Sequence, residues 1–356
     1  MTETWKVLRI LSCALALTTV GLQPGHAEKD AALSVAEQNR QFREAVALYQ
    51  AGQYRQAFQV ARALAKQGHV EAQAMLGVLY EHGRGVAADP LMAAEWYRKA
   101  AKSGHLGAMF ALAMMHLDGR LGRKDVEKAR KWLESAAAGG MAEAQYNLGL
   151  LYSGVGGMKP DWGKAAYWFL KAARQGKELA QYNLGVLYLT GRGVEKDFAQ
   201  ASEWFKRAAL AGLPQGATEY GLLVFRGDGV SKDEVIGARW LLYAARSGYA
   251  PAMQKLARLH VLGRGVRKDP VQAAKWYLLA RRRGVRDARL DLFLKQLPAA
   301  KLAEAKRLAA AFRPTKLRPI NQPSVGKDRL RLPQKPIFRH RRPEQAGAQK
   351  GKQAKK

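Results

Sequence analysis

The chain contains a 36-residue unit that occurs six times in a row, over residues 72–287, without an inserted or deleted residue. A tryptophan and an aspartate mark each unit. The tryptophans are Trp96, Trp132, Trp168, Trp204, Trp240 and Trp276, and the aspartates are Asp89, Asp125, Asp161, Asp197, Asp233 and Asp269. Tandem repeats of this length build solenoids or propellers, and apolar residues spaced by three and four favour helices over strands. The sequence therefore predicts an all-α fold, an α-solenoid of helix-turn-helix repeats.

Each unit is interpreted as two helices joined by a glycine-containing loop. The spacing predicts a first helix over about residues 72–82, with Leu76 facing inward and Gly77 marking a close approach of another backbone or an indole. Gly83 is expected to end this helix in a left-handed conformation, and Asp89 to cap the second helix. The second helix is predicted to bury the tryptophan of the unit. We therefore interpret the six tryptophans as packing residues rather than carbohydrate platforms, and the six aspartates as caps rather than catalytic groups.

Three motifs within the units carry a family resemblance. The pattern Ala-x-Tyr-Asn-Leu-Gly-x-x-Tyr stands at residues 144–152 and 180–188, Gly-x-Gly-Val-x-x-Asp at 191–197, and Ala-x-x-Trp-x-x-x-Ala-Ala at 201–209. These motifs resemble the Sel-one-like repeat, a branch of the tetratricopeptide superfamily. The resemblance implies a right-handed superhelix that acts as an adaptor or scaffold, without a shared catalytic centre. Some secreted members are rich in cysteine, so properties that depend on their disulfides are not carried over to this chain.

The resemblance also predicts a partner-binding surface. In the tetratricopeptide fold the first helix of each unit lines a concave groove. Carried over, that geometry places there Phe110, Tyr146, Tyr182, Thr218 and Gln254, with Met114, Leu150, Val186, Leu222 and Arg258 one turn on. Phe110, Tyr146 and Tyr182 form the predicted site together with Asn147 and Asn183, whose amides would bond the backbone of a bound peptide. The alternative is that both asparagines tie the repeat loops.

The N-terminal residues 1–27 have the pattern of a secretory signal. Lys6 and Arg9 precede an apolar run over residues 10–22, and a small-residue cleavage site follows at 25–27. The run is shorter than the roughly 20 residues that a membrane-spanning helix needs. Cys13 is the chain's one cysteine and lies within the apolar run, so we expect no lipidation and a mature chain without disulfides. The pattern predicts a periplasmic or secreted protein, with an uncleaved anchor as the alternative.

The segments that flank the six repeats are predicted to differ in order. Residues 28–71 follow tetratricopeptide spacing and are interpreted as an N-terminal capping unit, because solenoids need capped ends. Residues 288–312 are predicted to form C-terminal capping helices. Residues 313–356 contain 14 basic and two acidic residues and few apolar ones, so they are predicted to be a disordered basic tail.

The charge of the chain favours anionic partners. The formal net charge is +31, and residues 239–289 alone carry 13 basic and two acidic residues. An ordinary solvated face accounts for such a stretch, and the alternative is an anion-binding face that includes Arg281, Arg282 and Arg283. Nucleic acid would be the first partner to consider in a cytosolic protein, but the secretory signal argues against it.

The sequence offers no catalytic constellation. The predicted mature chain has no cysteine nucleophile and no paired-histidine zinc motif, and His116 and His260 occupy a tyrosine position of the first helix, where packing is the simpler interpretation. The glycine-rich loop at residues 153–160 lacks the lysine-serine pair and the preceding strand of a phosphate cradle.

These observations predict a non-enzymatic protein without cofactor or metal. It would be an exported scaffold that binds a protein partner or peptide in its concave groove. The alternative is a cell-envelope protein that holds an anionic polysaccharide, peptidoglycan or a membrane surface through its basic C-terminal third and tail.

Overall fold

The computed structural model describes residues 34–317, and within that range the chain forms sixteen α-helices and no strand. Helices α1 (Val35–Gln50) and α2 (Tyr54–Lys66) precede the repeats. The predicted signal at residues 1–27 lies outside the described residues, as does the predicted tail from residue 318 onward. The all-α solenoid predicted from the repeat period is confirmed.

Each repeat contributes a first helix, called A, and a second helix, called B. The A helices are α3 (Val70–His82), α5 (Leu106–Asp118), α7 (Ala142–Tyr152), α9 (Glu178–Thr190), α11 (Pro214–Arg226) and α13 (Ala250–Leu262). The B helices are α4 (Pro90–Lys102), α6 (Val126–Ala138), α8 (Trp162–Arg174), α10 (Phe198–Leu210), α12 (Glu234–Arg246) and α14 (Pro270–Arg281). Helices α15 (Ala288–Gln296) and α16 (Ala299–Ala311) follow. From α1 to α14 each helix packs on the next one in the chain.

The loop between helices A and B is held by backbone geometry. Gly83 ends α3 at a φ of 63°, in the left-handed region that favours glycine. The Asp89 carboxylate accepts hydrogen bonds of 2.9 Å from the backbone N–H groups of Leu91 and Met92, and the other five aspartates cap their B helices in the same way. The backbone N–H of Asp89 also donates to the Tyr80 carbonyl at 3.0 Å. The predicted caps are therefore confirmed.

This carbonyl contact explains why the residue at the Tyr80 position varies. The equivalent bonds run from Asp125 to the His116 carbonyl and from Asp269 to the His260 carbonyl, each at 3.0 Å. Because a backbone carbonyl makes this bond, the bond does not depend on which side chain stands at the position.

The close approach predicted at Gly77 is made by a residue other than the tryptophan. A Cβ on Gly77 would lie 2.4 Å from the Tyr97 ring, and one on Gly149 would lie 2.4 Å from the Phe169 ring. Tyr97 and Phe169 each come directly after the tryptophan of their unit. The small residue on helix A therefore admits the ring that follows the tryptophan on helix B.

The prediction that every unit buries its tryptophan is wrong for four units. Trp204 and Trp276 are buried, whereas Trp96, Trp132, Trp168 and Trp240 are partly exposed. The buried position is the next one in each B helix, held by Tyr97, Leu133, Phe169, Phe205, Leu241 and Tyr277. One residue along a helix is a turn of about 100°. The small residue on helix A faces the later position, and the indole is left at the rim of the helix pair.

The C-terminal end of the repeats is covered by α16, which folds back onto α14. Ala305 and Ala309 of α16 are buried, and the Phe312 ring meets the Trp276 ring edge-on at 5.5 Å. The Thr315 N–H, inside the segment predicted as tail, donates to the Arg246 carbonyl at 2.9 Å. The chain thus stays in contact with the solenoid for several residues beyond the last helix.

Candidate functional site

The aromatic residues predicted to line the groove pack partly into the core. The Tyr146 ring lies 5.9 Å from the Phe169 ring, and the Tyr182 ring lies 5.6 Å from the Phe205 ring. Burial raises the pKa of both tyrosine hydroxyls. Phe110 is likewise half-buried against the same core. These three side chains therefore support the A helices in addition to facing the surface.

The two asparagines make contacts that differ from the loop ties considered as an alternative. The Asn147 amide donates to the Glu143 carbonyl at 2.8 Å, one turn earlier in α7. The Asn183 side chain is hydrogen-bonded to Tyr146 of the preceding unit. Burial has the larger effect on the pKa of Tyr146 and raises it, while the bond to Asn183 acts in the opposite direction. Both asparagines are thus fixed on the A helices rather than on the loops.

Two neighbouring cavities open beside these asparagines, and Leu150 lies in the wall of both. Cavity I has a volume of about 440 Å³ and is lined by Leu117, Lys124, Val126, Asn147, Leu150, Leu151, Val155 and Gly156. Cavity II has a volume of about 190 Å³ and is lined by Leu150, Ser153, Trp162, Phe169, Asn183, Val186, Leu187 and Arg192. The structure thus places Asn147 in one cavity and Asn183 in the other.

The cavities occupy the same position in consecutive repeats. Residues 36 apart line them in pairs, namely Leu117 with Ser153, Val126 with Trp162, Asn147 with Asn183, Leu150 with Val186, Leu151 with Leu187, and Gly156 with Arg192. Trp162 and Arg192 are larger than their counterparts in cavity I. Cavity II is smaller because these two side chains fill part of the space.

Cavity I lies where the loop of the third unit contacts the preceding repeat differently, since a Cβ on Gly156 would lie 3.7 Å from the Val126 side chain. In ordinary units the second loop glycine rests on the start of the preceding B helix, so that a Cβ on Gly193 would lie 2.1 Å from the Trp162 carbonyl oxygen. A Cβ on the equivalent Gly157 would meet no atom within 4 Å. The third unit also has Gly156 where four other units have a loop arginine. Both differences leave open the space beside Val126.

Each cavity has a cation at its rim that forms no ion pair with any carboxylate of residues 34–317. Lys124 is exposed, and the Arg192 guanidinium lies 5.1 Å from the centre of the Trp162 ring. Two arginines at the repeat position of Arg192 do form ion pairs, Arg120 with Glu81 and Arg264 with Glu234. The charges of Lys124 and Arg192 are therefore available to an anionic group at the cavities.

Sequence reasoning did not single out Lys124, Val126, Trp162 or Arg192. A usable signal was present in the loop arginine, which stands as Arg84, Arg120, Arg192 and Arg264 in four units and is missing at Gly156. The sequence does not predict what this change does to the space between repeats, because that depends on how the loop packs on α6.

At the C-terminal end of the predicted groove, Gln254 and Arg258 are bonded to the Asp287 carboxylate. The Gln254 amide donates to the Asp287 carboxylate at 2.9 Å, and Arg258 donates to it at 2.6 Å. Burial raises the pKa of this carboxyl, but these bonds and the Leu290 N–H outweigh it and leave the pKa below its ordinary value. Asp287 is 6% exposed. Gln254 and Arg258 therefore hold the C-terminal cap.

The arginines predicted to bind anions do not converge on one point. Arg281 lies 3.4 Å from the Asp291 carboxylate, Arg282 donates to the Ala309 carbonyl at 3.4 Å, and Arg283 donates to the Leu279 carbonyl at 3.3 Å. All three are exposed at the end of α14. They form part of a basic surface, and the side chains of Arg281 and Arg282 also contact the C-terminal cap.

Two histidines of the described chain cap A helices. His69 and His105 cap α3 and α5, accepting from the backbone N–H groups of Ala72 at 3.2 Å and Ala108 at 3.0 Å. Burial lowers the pKa of both imidazoles. Within residues 34–317 no group of three or more histidine, cysteine, aspartate or glutamate side chains could hold a metal ion. Over the same residues, no helix combines the length and apolarity needed to cross a membrane.

The paired helices, the stacked units and the cavities on successive A helices define an α-solenoid repeat protein. The chain belongs to the Sel1 repeat family. The model of the Sel1 repeat matches residues 70–105, 107–141, 142–177, 179–213, 214–249 and 250–285. Sel1 repeat solenoids are generally scaffolds for protein–protein interaction and are typically non-catalytic.

The solved structures that are similar to this chain include two Sel1-type repeat proteins. One is c5321, a protective antigen of uropathogenic Escherichia coli strains with an SLR fold, which is 28% identical at a TM-score of 0.66 over 78% of this chain. This chain spans 61% of that antigen. The other is a Sel1 repeat protein from Oxalobacter formigenes, 27% identical at a TM-score of 0.58, with 69% of this chain and 99% of that one covered. No curated protein matches the chain.

Proposed function

We propose that this protein is an exported, non-enzymatic scaffold that binds a protein partner in the concave groove formed by its A helices. The observation that carries the proposal is the pair of cavities on consecutive repeats, each with apolar walls, an asparagine and an available cation. Export is proposed on the signal pattern of residues 1–27.

The composition of the cavities suits a polypeptide ligand. Binding sites are mostly apolar with a few polar groups that fix orientation, and a bound extended peptide places side chains in pockets while polar groups bond its backbone. Leu150 and Leu151 supply apolar wall, while Asn147 and Asn183 supply amides at a repeating interval. The hydrogen bond between Tyr146 and Asn183 restrains the Asn183 side chain.

Site-specific photo-crosslinking tests whether a partner occupies the groove. Val155 is 53% exposed and lines cavity I, whereas Val235 is 51% exposed on α12 and lines neither cavity. A photo-crosslinking residue at position 155, in the full chain expressed in its native cells, is expected to capture a polypeptide that the same residue at position 235 does not. Absence of crosslinking at 155, or identical products at both positions, would contradict the proposal.

A second candidate function is the binding of an anionic envelope polymer or membrane through the basic C-terminal third. Of the 13 basic residues between 239 and 289, ion pairs within residues 34–317 occupy Arg258, Arg264 and Arg281. The remaining charges are available to an external anion, and residues 313–356 add a net charge of +12. Near an anionic leaflet each basic residue contributes about 1 kcal/mol.

Deleting residues 318–356 separates the two candidates. We expect the shortened chain to sediment less with anionic vesicles at low salt, because it loses basic residues that attract the vesicle surface. This attraction is strongest at low salt, where screening is weakest. Crosslinking at position 155 is expected to be unchanged. Lost crosslinking with retained sedimentation would place the partner site on the deleted segment and contradict the groove.

A further inference from the structure

We propose that cavities I and II are tandem subsites for one extended acidic peptide segment, which inserts an apolar side chain into each cavity and pairs its carboxylates with Lys124 and Arg192. This inference rests on the proposed function and names the chemistry of the partner.

The walls of the cavities select apolar side chains. Val126, Leu150 and Leu151 line cavity I, and Trp162 and Phe169 line cavity II. Moving an apolar side chain from water into such a space is favourable in proportion to the surface buried. The larger volume of cavity I, about 440 Å³ against about 190 Å³, assigns the bulkier side chain of the ligand to cavity I.

The spacing of the cavities fits an extended chain. Helices α7 and α9, which carry Asn147 and Asn183, contact each other directly. Packed helices lie about 8–10 Å apart. An extended chain in the polyproline II conformation advances about 3.1 Å per residue with three residues per turn, so side chains three positions apart lie on one face and reach successive cavities. An extended segment also leaves its backbone N–H and C=O groups unpaired, and an asparagine amide can serve both. One such amide stands in each cavity.

The charge at the cavities specifies an acidic ligand. Lys124 and Arg192 form no ion pair within residues 34–317, and each lines a cavity at its loop side. A carboxylate of the peptide beside Lys124, or beside Arg192, gains a charge-assisted hydrogen bond to that cation. The chain's own segment 313–356 carries 14 basic and two acidic residues. Because the same cations repel it, that segment is not the occupant.

The residue equivalent to Asn147 and Asn183 in the next repeat limits the site to two repeats. The position 36 residues beyond Asn183 is Glu219, and the next is Lys255. Glu219 is half-buried on α11, where its carboxylate lies in the field of Lys255. An acidic segment that continued past cavity II would meet this carboxylate. The peptide segment therefore spans cavities I and II and ends or turns away before α11.

A peptide titration of the full chain tests the inference. The probe is a short fluorescein-labelled peptide of repeated leucine–glycine–aspartate units, whose leucines stand three residues apart. One control peptide has lysine in place of aspartate, and the other has serine in place of leucine. Fluorescence anisotropy is expected to show binding by the first peptide alone, with an affinity that falls as salt is added.

Two variants locate the binding in the cavities. The double variant Lys124→Ala with Arg192→Ala is expected to bind the peptide at least about tenfold more weakly, as expected for lost charge-assisted bonds. Its control removes the same charge at exposed positions elsewhere, through Lys131→Ala with Arg239→Ala. Val126→Trp copies the residue at the equivalent position, Trp162, and should narrow cavity I and weaken peptide binding.

Val235→Trp introduces the same side chain on an exposed surface of α12 and is the control for Val126→Trp. Circular dichroism melts establish that each variant is folded. Equal binding of the lysine peptide, or full affinity in folded Val126→Trp, would overturn the inference. If no peptide binds while position 155 still crosslinks a partner, the inferred specificity for acidic peptides is wrong. The proposed binding of a partner in the groove is then still supported. If position 155 captures nothing, the proposed function itself falls.

Discussion

Phe169 carries more of the packing energy of the third unit than its neighbour Trp168 does. Phe169 is buried and its ring covers Gly149, whereas Trp168 is partly exposed. We expect Phe169→Ala to lower the free energy of unfolding by about 3–5 kcal/mol through loss of buried surface and formation of a cavity. Trp168→Ala should cost clearly less. Urea denaturation of both variants measures the difference, and an equal loss would contradict the packing described for the B helices.

Glu219 is a second residue whose environment makes a prediction. Burial raises the pKa of its carboxyl, against the smaller effects of Lys255 and Arg226. A raised folded-state pKa means that stability is lost as the pH rises from the ordinary value of 4.5 through the folded value. Glu219→Gln is therefore expected to raise the melting temperature at pH 7, and the gain should vanish below pH 4.5.

The exposed Glu195 provides the control for this pH dependence. Glu195→Gln should leave the melting temperature nearly unchanged at both pH values, because its carboxylate is solvated in the folded chain. A gain from Glu219→Gln that persisted at low pH would show that the charge of the buried carboxylate is not its cause.

At the scale of the elements, replacing a loop glycine by alanine is expected to destabilise the third and fourth units by different amounts. Gly157 has a φ of 88° and Gly193 a φ of 71°, and a left-handed conformation costs a residue with a Cβ about 1–2 kcal/mol. Gly157→Ala should cost little more than this. Gly193→Ala should cost more, since its Cβ would collide with the Trp162 carbonyl. Thermal melts that showed equal losses would contradict the difference in loop contacts between the two units.

The contacts that a loop makes with the preceding helix therefore decide where the solenoid has a cavity. Gly193 brings its loop onto the start of α8, and Arg192 then covers Trp162. In the third unit Gly157 lacks that contact and Gly156 has no side chain to cover Val126. A local change in one connection thus produces a cavity between two regular helix pairs.

At the scale of the whole molecule, the C-terminal cap predicts how far the chain can be shortened. Deleting residues 299–356 removes α16 and uncovers α14, so we expect a lower melting temperature and aggregation, because the end of a solenoid needs a cap. Deleting residues 318–356 keeps Phe312 on Trp276 and Thr315 on Arg246. This shorter deletion should leave the melting temperature unchanged. An equal loss in the two deletions would contradict the assignment of α16 as the cap.

The sequence by itself predicts the features that depend on contacts within one unit. The helix period, the left-handed Gly83 and the cap by Asp89 arise from interactions a few residues apart, so their recurrence in register identifies them. The same reasoning placed Asn147 and Asn183 on neighbouring A helices. It also attributed burial to the tryptophans, because the periodic pattern does not distinguish two adjacent helix positions that both carry large apolar residues.

Only the tertiary structure decided which of those positions is buried and where the surface opens. Phe169 is buried because Gly149 of another helix admits its ring. Cavity I is open because Gly157 lacks the backbone contact made by Gly193 and Gly156 has no side chain to fill the space beside Val126. Both outcomes depend on distances between helices or between units. A single connection that shifts relative to its neighbour changes such distances without changing the repeat period, so the period alone does not predict them.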